Sequence, residues 1–454
     1  MWRGMPLLAV VLTTVAPAAP ISAAPEFALE GSATKALSDS GDVSRHLASI
    51  RLDPSEMVVQ QGRLNYAGPN CPGSRWTCTA TEDPVLQIFS RDGERGGRNV
   101  AECRPASNLC VIVQMSTSGQ NLAECTQHSD QPEGVVTQSC EIIQVNTFGA
   151  NTALVEQVIR QEAMGSFQDS TQTATLTQEN GNGENLATVL QRIDQFARDN
   201  VAGLTRGGDL GTSDQIQEGH QLTSTNQDTT SGNNSSKVEQ LLSQTAEART
   251  DTSVGLGSVN QQQNASNAGP NSQAKVDQHS DPSDGGTNTS ELLQEIRLLA
   301  DARASTVDQT QGSASGGLDG FVNQFSSGLS TSVNRQNETQ LANADADAVS
   351  QTQHGPARCC TTQFNHPGNI FDIVQTSSQT ASHPDALQTN ELRGSCITSG
   401  LCTIDQTVKQ NGAVTTNGCS GAACFPFIVC PPLGGTPGDP CAVGIRRVSW
   451  NRPQ

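Results

Sequence analysis

Alternate positions along much of this chain carry one set of side chains, and the positions between them carry another. After Asn185 the even steps hold Ala187, Val189, Gln191, Ile193 and Gln195, and before it Gln172, Ala174, Leu176 and Gln178 share the same parity. A period of two is the period of a β-strand, where every second side chain faces the same way. Between the two halves lies Glu179-Asn180-Gly181-Asn182-Gly183-Glu184, which is turn chemistry. The spacing therefore predicts a strand, a turn and a second strand, with an inward row of amides, small residues and aliphatics.

The unit recurs. Gln138, Gln144, Asn151, Gln157 and Gln161 share their spacing with Gln172, Gln178, Asn185, Gln191 and Gln195, and with Gln221, Gln227, Asn234, Gln240 and Gln244. An upstream window has Asn108 in the leading place, then Gln114, Asn121, Gln127 and Gln131. Weaker copies start at Asn99, Asn288, Asn369 and Gly400. From Asn99 to Asn288 the anchors fall 22, 30, 34, 49 and 54 residues apart, so the unit is constant and the spacers are not. Units stacked at about 4.8 Å would place like amides over like, where they can bond along the stack as ladders. A buried amide without such a partner is costly.

Two windows also fit a helix. Leu186, Val189, Leu190, Ile193 and Phe196 lie on one helical face, as do Leu292, Leu293, Ile296 and Leu299 behind a possible Ser290 cap. Short apolar runs do not separate the two. The even spacing of every shared position favours strands.

Composition fits a thin interior: aromatics are 3% of the chain, against 42 Gly and 21 Pro. Residues 1–23 read as a signal peptide, with Arg3, an apolar run from Pro6 to about Pro17 and cleavage after Ala23. Residues 24–70 are a polar leader, 71–206 a Cys-containing Gln/Asn repeat region, 207–358 a low-complexity region with degenerate repeats, and 359–454 a Cys-rich region. The stretch 207–286 is the most linker-like, in composition a mobile segment. A net charge of −19 argues against nucleic-acid and anionic-lipid partners.

The fourteen cysteines are Cys71, Cys78, Cys103, Cys110, Cys125, Cys140, Cys359, Cys360, Cys396, Cys402, Cys419, Cys424, Cys430 and Cys441. An even count on an exported chain reads as disulfides, and without Cys-x-x-Cys or paired His a zinc site is disfavoured.

Asn151-Thr-Ala-Leu-Val-Glu-Gln157 and Asn185-Leu-Ala-Thr-Val-Leu-Gln191 resemble the second half of the curlin repeat, the unit of bacterial curli-type fibres. Gln144 and Gln178 stand where that family has its first Gln, although six residues rather than four separate them from the Asn. The leading Ser of the family is Gln138, Gln172 or Gln221 here. The resemblance covers roughly half the chain and implies a strand-turn-strand solenoid with a surface or matrix role. Cys110 and Cys140 share one slot of the unit and Cys103 and Cys125 another, which suggests disulfides between equivalent cysteines of neighbouring units. Local pairing, such as Cys71 with Cys78, is the competing arrangement.

Catalytic signatures are missing from the sequence. No His-Glu-x-x-His, Gly-x-Ser-x-Gly or Walker-type glycine loop occurs, and the seven histidines stand mostly in turn-like contexts. The expectation is a mainly β, solenoid-like fold with disordered linkers and a disulfide-rich C-terminal region. It would be secreted or at the cell surface, non-enzymatic, without metal or cofactor. Its role would be structural or adhesive, its partners further copies of itself or surface and matrix components. The alternative is an extracellular binding protein in which the repeats are a stalk for residues 359–454.

Overall fold

The computed structural model describes residues 58–61, 63–68, 70–79, 85–89, 97–103, 108–164, 167–200, 213–249, 259–264, 272–280, 287–311, 318–325, 330–353, 357–364, 370–381, 387–390, 392–398, 401–411, 414–417, 427–429 and 443–451. The signal peptide, most of the polar leader and Cys419, Cys424, Cys430 and Cys441 lie outside them. Among the described residues there is no helix, and the strands form one parallel sheet.

Each tier of the sheet is a strand-turn-strand segment paired in parallel with the same segment of the next tier. Tier one comprises β1 (Val58–Gln61) and β2 (Leu64–Ala67), with β3 (Thr77–Thr79) alongside β2. Tier two is β4 (Val85–Phe89) and β5 (Gly97–Cys103). Tiers three to six are single long segments: β6 (Leu109–Asp130), β7 (Gly134–Met164), β8 (Phe167–Asn200) and β9 (Ser213–Arg249). Tier seven combines β10 (Val259–Asn264) and β11 (Ser272–Ser280) with the first part of β12 (Asn288–Gln311). The pattern continues through β13 (Leu318–Phe325), β14 (Ser330–Gln353), β15 (Ala357–Phe364) and β16 (Ile370–Ala381). It ends with β17 (Leu387–Asn390), β18 (Leu392–Thr398), β19 (Leu401–Asn411), β20 (Val414–Asn417), β21 (Phe427–Val429) and β22 (Val443–Asn451).

The register follows the repeat. Gln138, Gln144, Asn151, Gln157 and Gln161 pair with Gln172, Gln178, Asn185, Gln191 and Gln195, and these with Gln221, Gln227, Asn234, Gln240 and Gln244. A one-residue slip would turn every buried side chain outward, so burial of one face fixes the alignment.

The interior is a thin layer of aliphatic and small residues. Ala67, Ala101, Ala123, Ala153 and Ala187 stack in register and are succeeded by Ser236, Ser290 and Ser332. The alanines share a core cluster with Ile112, Ile142 and Leu176 from the first halves of their tiers, so small residues face large ones. A second cluster holds Val136, Ile159, Ile193, Leu242, Ile296 and Leu298.

The helical alternative fails in both windows. Val189 and Ile193 are buried, whereas Leu186 is 43% exposed and Leu190 and Phe196 are half-buried. Leu292 and Ile296 are buried and Leu293 and Leu299 are not. Burial alternates with period two because tertiary pairing in the sheet outweighs local helix preference.

Much of the linker-like stretch is also ordered. Ser213–Arg249, including Thr229-Thr230-Ser231-Gly232-Asn233-Asn234, is strand β9. Composition misleads there because inward Gln and Asn meet partners in the neighbouring tier rather than water. The polar leader likewise ends inside the sheet, at β1 and β2.

A glycine column runs down the turns. Gly97, Gly119, Gly149, Gly183 and Gly232 are register partners, each two residues before an anchor Asn. A Cβ on Gly149 would overlap the carbonyl oxygen of Gly119, and one on Gly183 that of Gly149. Gly149 also has φ +145°, which L side chains rarely adopt.

Candidate functional site: amide ladders and a sulfur cluster

The side chains most unusual in a protein core here are uncharged amides, buried in columns. In one column Gln87 donates to Gln60, Gln114 to Gln87, Gln144 to Gln114, Gln178 to Gln144 and Gln227 to Gln178, at 2.7–2.8 Å. The second hydrogen of each Nε2 crosses the interior to the carbonyl one residue past the anchor Asn, as from Gln144 to Thr152 and from Gln178 to Leu186. Each glutamine thus ties its tier to the preceding one and its own two strands to each other.

The asparagines run the other way. Asn65 donates to Asn99, Asn99 to Asn121, Asn121 to Asn151, Asn151 to Asn185, Asn185 to Asn234 and Asn234 to Asn288, at 2.8–3.0 Å. Each of Asn99, Asn121, Asn151 and Asn185 also donates to a backbone carbonyl of the following tier, such as Asn151 to Glu179. Turning the amide over would set its oxygen against that carbonyl, so the direction of the column is enforced.

A third column links Gln127, Gln157, Gln191, Gln240, Gln294, Gln336 and Gln375. Two shorter ones link Gln138, Gln172 and Gln221, and Gln161, Gln195 and Gln244. Gln131, expected in the last of these, is exposed just past the end of β6, and only its backbone N–H reaches Arg160. Asn108 is exposed too and offers Ser139 only a carbonyl. The chain is already leaving the sheet at these two points, which flank β6.

Several ladder members escape a fixed-spacing search. Gln60, Asn65 and Gln87 extend two columns to tier one, and Gln168 pairs with Gln217 outside the repeat frame. A tier anchored on Ser330 contributes Gln336 and Gln340, both buried. Asn65-Tyr66-Ala67 did carry the Asn-x-Ala signal.

Beside β2 the chain makes a clip. Residues 71–79 are closed by the disulfide Cys71–Cys78, and Trp76 packs edge-on against Tyr66 at 6.3 Å. The Tyr66 hydroxyl donates to Glu102 at 3.0 Å. Burial and the Glu102 carboxylate raise its pKa. Gln60 donates to the Thr77 carbonyl at 3.1 Å, in the place where other glutamines of its column meet the preceding glutamine.

Cys103 and Cys125 are register partners, as are Cys110 and Cys140. The bonds nevertheless cross the core: Cys103 is joined to Cys110, and Cys125 faces Cys140 with Cα atoms 6.5 Å apart. Bridges between equivalent cysteines, expected from their shared slots, are not what forms. Stacked side chains in register run side by side, whereas the second strand of one tier and the first strand of the next send their side chains toward each other across the core, as a disulfide requires. Among the described residues, Cys103, Cys110 and Cys125 are the side chains grouped closely enough to share a metal ion, their sulfurs all within 4.8 Å. Pairing in disulfides removes the thiolates a metal would need. Cys359, Cys360, Cys396 and Cys402 fall in strands of the later tiers.

The outward face carries charge in short pairs, including Arg192–Asp194 at 2.6 Å and Arg297–Glu295 at 2.6 Å. His128 lies in β6 beside Asp130 at 2.8 Å, and His220 in β9, so neither is a turn residue. Glu141 is 6% exposed, and burial raises its carboxyl to about 7. No helix among the described residues is long and apolar enough to cross a membrane.

No protein-family model, curated protein or solved structure matches this chain.

Proposed function

We propose that this protein is a secreted, non-enzymatic β-solenoid of curlin-like type, with a structural, adhesive or matrix role at the cell surface. The observation that carries the reading is the set of amide columns, which spend the most distinctive residues of the sequence on holding tiers together. An enzyme of this size would be expected to converge its polar side chains on a cleft. Here they converge on one another, tier after tier. The Asn-x-Ala-x3-Gln pattern stands at the same structural place in successive tiers, which supports the resemblance to the curlin unit. The clip at tier one and the long, unequal spacers favour a particle of finite height over unlimited stacking.

Secreting the full chain and a variant lacking 396–454 from the native host, then fractionating cells and medium, tests this role. Retained surface association of the shortened chain is expected. Loss of association, with the shortened chain folded by circular dichroism, would instead favour a binding protein that uses the repeats as a stalk.

A further inference from the structure

Four sulfurs follow one another through the core from tier two to tier four. Cys103 ends the second strand of tier two, Cys110 and Cys125 lie in the two strands of tier three, and Cys140 lies in the first strand of tier four. The sulfur of Cys125 is within 4.8 Å of both partners of the Cys103–Cys110 bridge. Their exposure is graded: Cys110, Cys125 and Cys140 are buried at 2%, 0% and 1%, whereas Cys103 is only partly buried. Beyond Cys140 the register partner is Ala174, so the series stops there.

We propose that these four cysteines form a thiol–disulfide relay, with Cys103 as a site of S-thiolation by a small external thiol. The thiolate of that thiol attacks the Cys103 sulfur, forming a mixed disulfide and breaking Cys103–Cys110. The electron pair leaves on Cys110. The Cys110 thiolate attacks Cys125, forming Cys110–Cys125 and breaking Cys125–Cys140, and the released Cys140 thiolate takes a proton. Two disulfides are present before and after, one of them now mixed, and one protein thiol has appeared in place of the external one. Exchange of this kind needs only an attacking thiolate close to the disulfide. The relay replaces two bridges between tiers by one bridge within tier three, so a thiol at the surface loosens the covalent ties between three tiers.

The test uses the intact oxidised protein with reduced glutathione under native conditions, quenched with an alkylating agent and mapped as unreduced peptides. The expected products are glutathionylated Cys103, a Cys110–Cys125 bridge and alkylated Cys140. Glutathionylated Cys103 with alkylated Cys110 and an intact Cys125–Cys140 pair would overturn the relay, and no addition at Cys103 would overturn it as the site of attack. A Cys140→Ser variant needs no external thiol. Its free Cys125 is expected to yield Cys110–Cys125 with free Cys103, and exclusive recovery of Cys103–Cys110 would refute the exchange.

Discussion

Replacing Gln144 by Leu removes one rung from a ladder at nearly constant volume. Gln144 donates to Gln114 and to the Thr152 carbonyl and accepts from Gln178, each at 2.8 Å. Leucine leaves three buried polar groups each short of one bond. An orphaned buried group costs about 1–3 kcal/mol, and burying a leucine returns about 2 kcal/mol, so three such groups leave a net loss of about 1–7 kcal/mol, centred on about 4. That is a large part of the stability of an ordinary domain, typically about 5–15 kcal/mol. The assay is urea unfolding followed by far-ultraviolet circular dichroism. Ser224→Ala, on the exposed face of β9, is the reference and should change stability by less than about 0.5 kcal/mol. If Gln144→Leu unfolds at the same urea concentration as Ser224→Ala, the amide columns do not stabilise the stack, and the reasoning behind the proposed function is wrong.

Gly149→Ala should destabilise by about 2 kcal/mol or more, since a methyl group there meets the Gly119 carbonyl and φ is positive; thermal melting would show a shift absent from an exposed-strand alanine control. Ala153→Leu should cost about 1–3 kcal/mol by overfilling the small-residue column, again read by urea unfolding. Glu141 holds its proton up to about pH 7 when folded, against 4.5 for the free group. Stability should therefore fall as pH rises from 4.5 to 7 and then level off, by about 3 kcal/mol at most, and Glu141→Gln should flatten that slope in unfolding curves taken at pH 5 and pH 8.

The strands of tiers three to six were legible because their turns have one length, six residues between Gln114, Gln144, Gln178 or Gln227 and the anchor Asn of the same tier. Four residues separate Gln60 from Asn65 and eleven separate Gln87 from Asn99, so a fixed frame passes over both although the columns run through them. Register depends on which side chains stack, and a turn of another length still delivers the second strand to the same place. The Ser330 tier was invisible for a different reason: backbone pairing admits Ser at the anchor and Asn334 where other tiers have an aliphatic. The glycine column was in plain view as Gly-x-Asn, but each glycine looked like turn composition until its neighbours stacked above and below. Local pairing of Cys71 with Cys78, the competing arrangement, is what forms, whereas slot equivalence misled for Cys103, Cys110, Cys125 and Cys140 because it reports neighbours along the stack and bonding depends on who stands opposite.

The opposed directions of the Asn and Gln columns have an electrical consequence. Side-chain amide dipoles aligned head to tail add, as peptide dipoles do along an α-helix. Gln columns outnumber the Asn column, so the stack is left with a partial positive charge at its first tier and a negative one at its last. The Thr77 carbonyl, accepting from Gln60, sits at that positive pole. The clip thus serves the ladder as an N-cap serves a helix, meeting the outermost donor of the column among the described residues.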